Sequence, residues 1–145
     1  MEQYLQVYMA NPLFKGVRKT EFSPLLACLQ AQKRSYKKGE QIVAADSTIN
    51  KLGIVLSGSI NTVYEDILGG RSIIGSFVTG QFFCDAFACS TRQHVPVSVM
   101  AQVDSTVLFI EVERILHTCD KNCSQHKVLA ENLLHILADK YVVLN

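Results

Sequence analysis

The chain has 145 residues, of which 48% are hydrophobic, and its 14 Lys and Arg residues against 13 Asp and Glu residues give a formal net charge of +1. This size and apolar content suit one domain with its own core, and the balanced charge provides no electrostatic footprint for nucleic acid or an anionic membrane. The sequence has neither a run of about eighteen apolar residues nor a basic start followed by an apolar stretch, so we expect no membrane span and no export. Five cysteines without framework spacing favour a reducing compartment, and we expect a cytoplasmic protein.

The chain opens with helical patterns. Residues 2–9 are typical of a short helix, and Thr20 can cap a second helix that places Phe22 and Leu25 on one face. We therefore predict a helical region over residues 1–31.

A period of two residues begins at Lys33 and is typical of strands. Glycine, aspartate and serine separate these stretches at short intervals, which favours an antiparallel sandwich or roll over alternating strand and helix units. The fold class we predict is mainly β with flanking helices. The predicted strands are 32–36, 40–45, 51–57, 59–64, 71–78, 96–102 and 104–110.

The segment Gly80–Ala101 interrupts this strand pattern. It reads as a glycine turn, a short aromatic strand, one turn of helix starting near Asp85, a polar loop and an apolar strand. Free backbone N–H groups at the start of such a helix suit an anionic or polar ligand. Because a plain bulge and loop gives a similar pattern, the residues alone leave both interpretations open.

A helical pattern returns after Val112. A short turn over 113–118 and a polar elbow precede a helix that Ser124 can cap and that continues to Asn145. This last helix carries two adjacent apolar stripes, and a helix on a single domain needs only one. The second stripe favours a homodimer, packed about a two-fold axis, over a helix sunk deeper into its own domain. The residues assigned to the dimer interface are Ala130, Leu134, Leu137, Tyr141 and Leu144.

The motifs together resemble the cyclic-nucleotide-binding domain. Gly80-Gln-Phe-Phe, the Asp-Ala-Phe-Ala helix and the strand Val-Ser-Val-Met-Ala are similar to its phosphate-binding cassette, so we call Gly80–Ala101 the cassette. The likeness extends upstream through Tyr36-Lys-Lys-Gly-Glu-Gln-Ile-Val and Leu52-Gly-Ile-Val-Leu-Ser-Gly-Ser-Ile. The long last helix is similar to that of bacterial Crp/Fnr-type transcription regulators.

This resemblance implies a single effector domain over residues 1–145. It implies an antiparallel double-stranded β-helix, or jelly roll, at 32–112, and C-terminal helices at 113–145 that include the dimerisation helix. No glycine or proline closes the helix at Asn145, so we expect the parent protein to continue. The continuation that the resemblance implies is a helix-turn-helix domain that binds DNA.

The cassette departs from the family pattern at the residues that hold the nucleotide. Members that bind cyclic nucleotides carry Gly-Glu where this chain has Cys84-Asp85, and Arg-Ser-Ala where it has Val95-Pro96-Val97. Loss of that arginine removes a charge-assisted pair with the cyclic phosphate. Arg92 would replace the charge only if the loop register shifts. We therefore expect a small, partly hydrophobic effector other than cyclic AMP.

The predicted ligand pocket lies between the cassette and the last helix. Contacts to both parts would let the effector favour one dimer geometry over another. No cofactor is predicted, and the effector is an unknown small molecule. The predicted ligand-binding residues are Phe83, Cys84, Asp85, Ala86, Phe87, Val95, Pro96, Val97 and Tyr141.

Two alternatives to the small-molecule sensor stay open, and the first is a metal, haem or redox sensor. Thiolates and imidazoles bind zinc or haem iron, and Cys89 and His94 are weak candidates for such a site. Cys119 and Cys123 are candidates for a thiol redox switch, although their spacing is awkward for a disulfide. The second alternative is a dimerisation module that binds no ligand.

Motifs of catalysis are missing from the sequence. The cupin enzymes, which share the roll architecture, need a His-x-His pair, and no such pair occurs here. There is also no Gly-x-Ser-x-Gly elbow and no Walker lysine loop. We therefore expect no enzymatic activity.

Overall fold

A computed structural model describes residues 3–117 and 124–144, with the side chains of residues 124–126 and 144 outside the description. The chain divides into two compact units. Gln32–Phe109 forms a sheet unit, and the described residues on either side of it form a helical unit. The sheet unit Gln32–Phe109 can be compared with the jelly roll expected at 32–112. A single effector domain over the whole chain stays a prediction.

The sheet unit contains ten strands among the described residues, and the last of them continues two residues past the unit. They are β1 Gln32–Tyr36, β2 Gln41–Val43, β3 Ser47–Thr48, β4 Lys51–Ser57, β5 Ser59–Glu65, β6 Arg71–Val78, β7 Phe82–Phe83, β8 His94–Val95, β9 Ser98–Ala101 and β10 Ser105–Glu111. One short helix, α3 (Asp85–Cys89), lies between β7 and β8.

The strands form two four-stranded sheets and one two-stranded sheet. The four-stranded sheets have the orders β1-β10-β4-β7 and β2-β9-β5-β6, and β3 pairs with β8. The pairing is mainly antiparallel, which confirms the predicted jelly-roll fold with flanking helices. None of these sheets closes into a barrel within residues 3–117 and 124–144.

The pairing of β3 with β8 was not predicted, and two predicted strands are shorter in the structure. Residues 40–45 were expected as one strand, but β2 ends at Val43 and the chain turns at Asp46, whose φ is +63°. The Asp46 N–H donates to the Val95 carbonyl at 2.7 Å, and the Ile49 N–H donates to the Gln93 carbonyl at 2.8 Å. These bonds join segments far apart in sequence, so a local pattern cannot reveal them.

The core of the sheet unit lies between the sheets. Every strand except β1, β3 and β6 contributes a buried apolar side chain, because alternate residues of each strand point inward. Ten buried side chains form one continuous cluster: Val43, Val55, Ile60, Phe83, Cys84, Val95, Val97, Val99, Val107 and Phe109. The cassette therefore supplies part of the core itself.

Glycine at position 53 allows β7 to pack closely against β4. Gly53 is paired with Phe83, and a Cβ atom at Gly53 would overlap the Phe83 ring. Only glycine lets the backbone approach the ring at this distance. Gly53 therefore helps to hold the first strand of the cassette in the core.

The helical unit contains four α-helices and two 3₁₀ turns within the described residues. The helices are α1 Leu5–Ala10, α2 Phe22–Cys28, α4 Val112–Leu116 and α5 Ser124–Leu144, and the 3₁₀ turns are Pro12–Phe14 and Lys19–Glu21. Thr20 lies inside the second turn and does not cap α2, so that part of the prediction is wrong. Phe22 and Leu25 are nevertheless buried, as their spacing predicted.

Aromatic rings and one asparagine organise this helical unit. The rings of Tyr8, Phe14 and Phe22 contact one another with centroids 5.4–6.0 Å apart. The Asn132 side chain donates to the carbonyl oxygens of Leu13 and Lys15 at 2.8 and 3.0 Å, which fixes α5 to the first 3₁₀ turn. No helix among the described residues is both long and apolar enough to cross a membrane.

Candidate functional site

The cassette adopts the order of elements that its sequence predicts. A turn at Gly80, with φ of +90°, leads into β7, and α3 follows after Cys84. Cys84 has φ of +59°, a left-handed conformation that costs about 1 kcal/mol or more for a residue other than glycine. The family pattern has glycine at this position, so the chain keeps the backbone bend and adds a buried thiol.

Four of the nine predicted ligand-binding residues come together in the core cluster. They are Phe83, Cys84, Val95 and Val97, and the Val95 side chain is 0% exposed. Phe87 is partly buried and packs against the same cluster. The interior of the cassette is therefore aromatic and aliphatic.

The remaining predicted ligand-binding residues lie outside this core cluster. Ala86 and Pro96 are exposed on the cassette, whereas Asp85 is buried within it. Tyr141 belongs to the helical unit, where its side chain is 70% exposed. Its inclusion in the ligand pocket stays a prediction.

The buried charge of the cassette is negative. Asp85 is 4% exposed, and no lysine, arginine or histidine is among the buried residues of the described chain. Burial raises the pKa of the nearby Cys89 thiol, and the Asp85 carboxylate raises it further. Arg92, the one arginine of the cassette, is exposed on the loop. An anionic phosphate would thus meet an acid and no buried cation.

Sequence reasoning missed the contacts that hold the cassette loop in place. Gln93 has φ of +52°, and its side-chain amide donates to the Ala88 carbonyl at 3.1 Å. His94 lies 3.3 Å from the Asp46 carboxylate, next to the paired strands β3 and β8. The only sequence signal for this anchor was the turn-forming pair Asp46-Ser47, which indicates a turn but not its partner.

The candidate metal ligands are not gathered into a site. Cys89 is half-buried in α3, and the His94 imidazole faces Asp46. Among the described residues, no three side chains of histidine, cysteine, aspartate or glutamate are placed to hold a metal ion. Cys119 and Cys123 lie outside the described residues.

The two apolar stripes of α5 have different surroundings. Leu129, Leu133 and Ile136 are buried in the helical unit, where α5 packs against α4 and the first 3₁₀ turn, whereas Val143 of the same stripe is 84% exposed. The stripe assigned to a dimer includes Leu134, which is 65% exposed, and the exposed Tyr141. Its other members Ala130 and Leu137 are half-buried, and the side chain of Leu144 lies outside the described part.

Comparison with protein families gives a match over most of the sheet unit and beyond it. The model of the cyclic nucleotide-binding domain matches residues 33–122. The chain belongs to this family. Membership confirms the resemblance carried by the cassette. No curated protein matches the sequence of this chain.

Solved structures with the same fold include two bacterial transcription regulators. The catabolite activator protein of Thermus thermophilus is 22% identical, with a TM-score of 0.73, over 92% of this chain and 60% of its own. The sensor domain of the transcriptional regulator DNR from Pseudomonas aeruginosa is 17% identical, with a TM-score of 0.74, over 94% of this chain and 87% of its own. This chain therefore spans 60% of the length of the activator protein.

A third similar structure comes from a kinase. The regulatory subunit of a cAMP-independent protein kinase A from Trypanosoma brucei is 16% identical, with a TM-score of 0.67, over 95% of this chain and 46% of its own. A mutant of that subunit, in which a glutamate became alanine, a threonine arginine and a valine alanine, is bound to cAMP in its A site.

Proposed function

We propose that this chain is the effector-sensing domain of a Crp/Fnr-type transcription regulator and that its effector is not a cyclic nucleotide. The effector is a small, partly hydrophobic molecule held by the cassette. Its binding shifts the balance between two arrangements of a homodimer. Similar folds in two transcription regulators support the regulatory role.

The observation that carries the ligand assignment is the side chain of Val95. It takes the place at which nucleotide-binding members have arginine, and it is fully buried against Phe83 and Val97. Aliphatic carbon cannot form the bidentate, charge-assisted pair that a guanidinium makes with a phosphate. Asp85, the one charged residue among the buried residues of the described chain, is an acid and offers a phosphate no positive charge.

The trypanosomal subunit supports this assignment. The natural protein belongs to a cAMP-independent kinase, and the mutant bound to cAMP carries a new arginine. A cyclic nucleotide-binding fold can therefore occur in a cAMP-independent protein. We propose that the present chain is a second case.

Calorimetry of the native chain with cAMP and cGMP tests the ligand assignment. We expect no heat of binding at micromolar concentrations of either nucleotide. Val95→Arg is the matched variant, because it supplies a guanidinium at one position of the cassette, and we expect it to gain affinity for cAMP. Micromolar binding of a cyclic nucleotide to the native chain would contradict the proposal.

The second part of the proposal is a homodimer formed through α5. The exposed Leu134 and Tyr141 belong to a stripe of α5 that lies next to the stripe containing the buried Leu129 and Leu133. Burial of such a stripe against its symmetry mate would remove apolar surface from water. DNA would be bound by a further domain, since this segment has a net charge of only +1.

Sedimentation of matched α5 variants tests the dimer. Leu134→Glu places a charge on the proposed interface, and we expect it to weaken self-association at least tenfold without loss of helix content. His135→Glu, an exposed position on another face of α5, should leave the dimer intact. Equal association of both variants, or a monomeric native chain, would refute the interface.

A ligand-free dimerisation module is the second candidate function. The full burial of Phe83 and Val95 favours it, because these side chains already occupy the interior of the cassette. Native mass spectrometry of freshly purified protein separates the two candidates. A bound small molecule of defined mass supports the sensor, and its absence together with a stable dimer supports the module.

A further inference from the structure

The sheet unit contains a groove whose lining includes no residue of the cassette. It has a volume of about 320 Å³ and is lined by residues of β1 to β4, the adjoining turns and β10. This volume is within the range of small-molecule sites, about 300–1,000 Å³. We call it the β1–β4 groove, and the residues that matter here are Arg34, Tyr36, Ile42, Ile49, Lys51 and Phe109.

The floor of the β1–β4 groove is apolar and continuous with the core. Phe109 belongs to the buried cluster, and Tyr36, Ile42 and Ile49 are partly buried and pack against that cluster. Burial raises the pKa of the Tyr36 hydroxyl, while the nearby Arg34 guanidinium opposes the rise. Side chains anchored in a packed core form a floor that is already in place before a ligand arrives.

Two cations line the groove without an acidic partner. Arg34 on β1 contacts the Gln32 side-chain oxygen at 3.3 Å, and no carboxylate lies within 4.0 Å of Arg34 or Lys51 among residues 3–117 and 124–144. No aspartate or glutamate lines the groove. The neighbouring acid Asp46 faces His94 instead, so the positive charge of the groove is not neutralised locally.

The lining of the groove also carries hydroxyl groups. Ser47 and Thr48 of β3 line the groove, and the Ser47 hydroxyl donates to the Ala44 carbonyl at 2.6 Å, which leaves its oxygen able to accept. Cations and hydroxyls beside an aromatic floor are complementary to a molecule with one anionic end and one flat apolar end.

We propose that the β1–β4 groove binds a small aromatic carboxylate. The ring packs on Phe109 and Ile42, and the carboxylate accepts hydrogen bonds from Arg34 and Lys51. This site is separate from the effector site proposed for the cassette and does not depend on it. It would let the domain respond to an organic acid as well as to its cassette effector.

Methyl NMR of the native chain with 3-phenylpropionate tests the proposal. We expect saturable shifts at the methyl groups of Ile42 and Ile49, weakening as salt rises because exposed charges are screened. The neutral analogue 3-phenylpropan-1-ol keeps the ring and lacks the charge, and we expect it to bind at least tenfold more weakly. Equal binding of the alcohol would overturn the proposal.

Charge variants locate the site. We expect Arg34→Gln and Lys51→Gln each to weaken 3-phenylpropionate binding about tenfold, the loss expected for one hydrogen bond to a charged group. Lys38→Gln removes a nearby charge outside the groove and should change binding less than about twofold. The assignment would be overturned by unchanged binding in both groove variants, or by shifts confined to the Val97 and Val99 methyls of the cassette. Neither result would bear on the cyclic nucleotide test.

Discussion

The cassette and the β1–β4 groove share one hydrophobic core but place charge in opposite ways. The cassette buries Val95 and Asp85, so its interior has aliphatic carbon and one acid and no buried cation. The groove holds Arg34 and Lys51 at its edge, above a floor that includes Phe109. The cassette interior therefore has no buried cation among the described residues, whereas two cations line a different concave surface.

The difference reflects the cost of burying a cation. A guanidinium inside the cassette must be paired with an anion, or its lost hydration is not compensated. Arg34 and Lys51 keep contact with water, so they need no resident partner. An aliphatic side chain such as Val95 carries no such cost in the same interior.

Replacement of Val95 by arginine should give the largest effect on stability. The guanidinium is larger than the valine it replaces and would lose its hydration beside Phe83, so we expect the free energy of unfolding to fall by about 3–5 kcal/mol. Urea denaturation measures the change. Val95→Met lengthens the side chain without adding a charge and should cost less, about 1–3 kcal/mol.

Removal of a positive charge from the groove should have almost no effect on stability. Arg34→Gln alters an exposed side chain, so we expect a change within about 0.5 kcal/mol. A loss near zero for Val95→Arg, or a large loss for Arg34→Gln, would show that the contrast between the two regions is wrong.

Thiol chemistry gives a smaller test of the acidic, low-polarity interior of the cassette. Burial and the Asp85 carboxylate both raise the pKa of Cys89, so its reactive thiolate is scarcer at neutral pH than that of an ordinary cysteine. We expect slow alkylation by iodoacetamide, with a rate that continues to rise above pH 9. Asp85→Asn removes the smaller of the two causes and should increase the rate at pH 8 a few-fold, as measured by peptide mass spectrometry.

The same properties bear on Cys89 as a reactive thiol. A sensor cysteine needs a lowered pKa and access to solvent, whereas Cys89 is half-buried and its pKa is raised. Fast alkylation of Cys89 in the native chain at neutral pH would contradict the description of the cassette interior. The redox candidates Cys119 and Cys123 lie outside the described residues.

Much of the sheet unit could be predicted from the sequence because its strands carry a local pattern. Strands β1, β4 and β6 have the bounds that period-two alternation predicted, and β5 is one residue longer. The short elements were harder, since β3 and β8 have two residues each and exist only through their mutual hydrogen bonds. Two residues are too few to show any period.

The candidate cassette was found through motifs, and its interior was only partly foreseen. The predicted set contained Phe83, Cys84, Val95 and Val97, which meet in one cluster, and also the exposed Ala86 and Pro96. Ala86 lies in α3 and Pro96 lies between two strands, so burial of their neighbours does not imply burial of these two side chains. The β1–β4 groove escaped notice because its lining comes from five strands.

The sequence by itself determined the order of elements, the aliphatic character of Val95 and Val97 in the cassette and the presence of two apolar stripes on α5. All of these are local properties, set by residue type and by spacing along the chain. Only the tertiary structure decided that the stripe with Leu129 and Leu133 is buried while Leu134 remains exposed, and that Arg34 and Lys51 edge the same groove. Burial and proximity depend on which distant segments pack together, and neither residue type nor spacing contains that information.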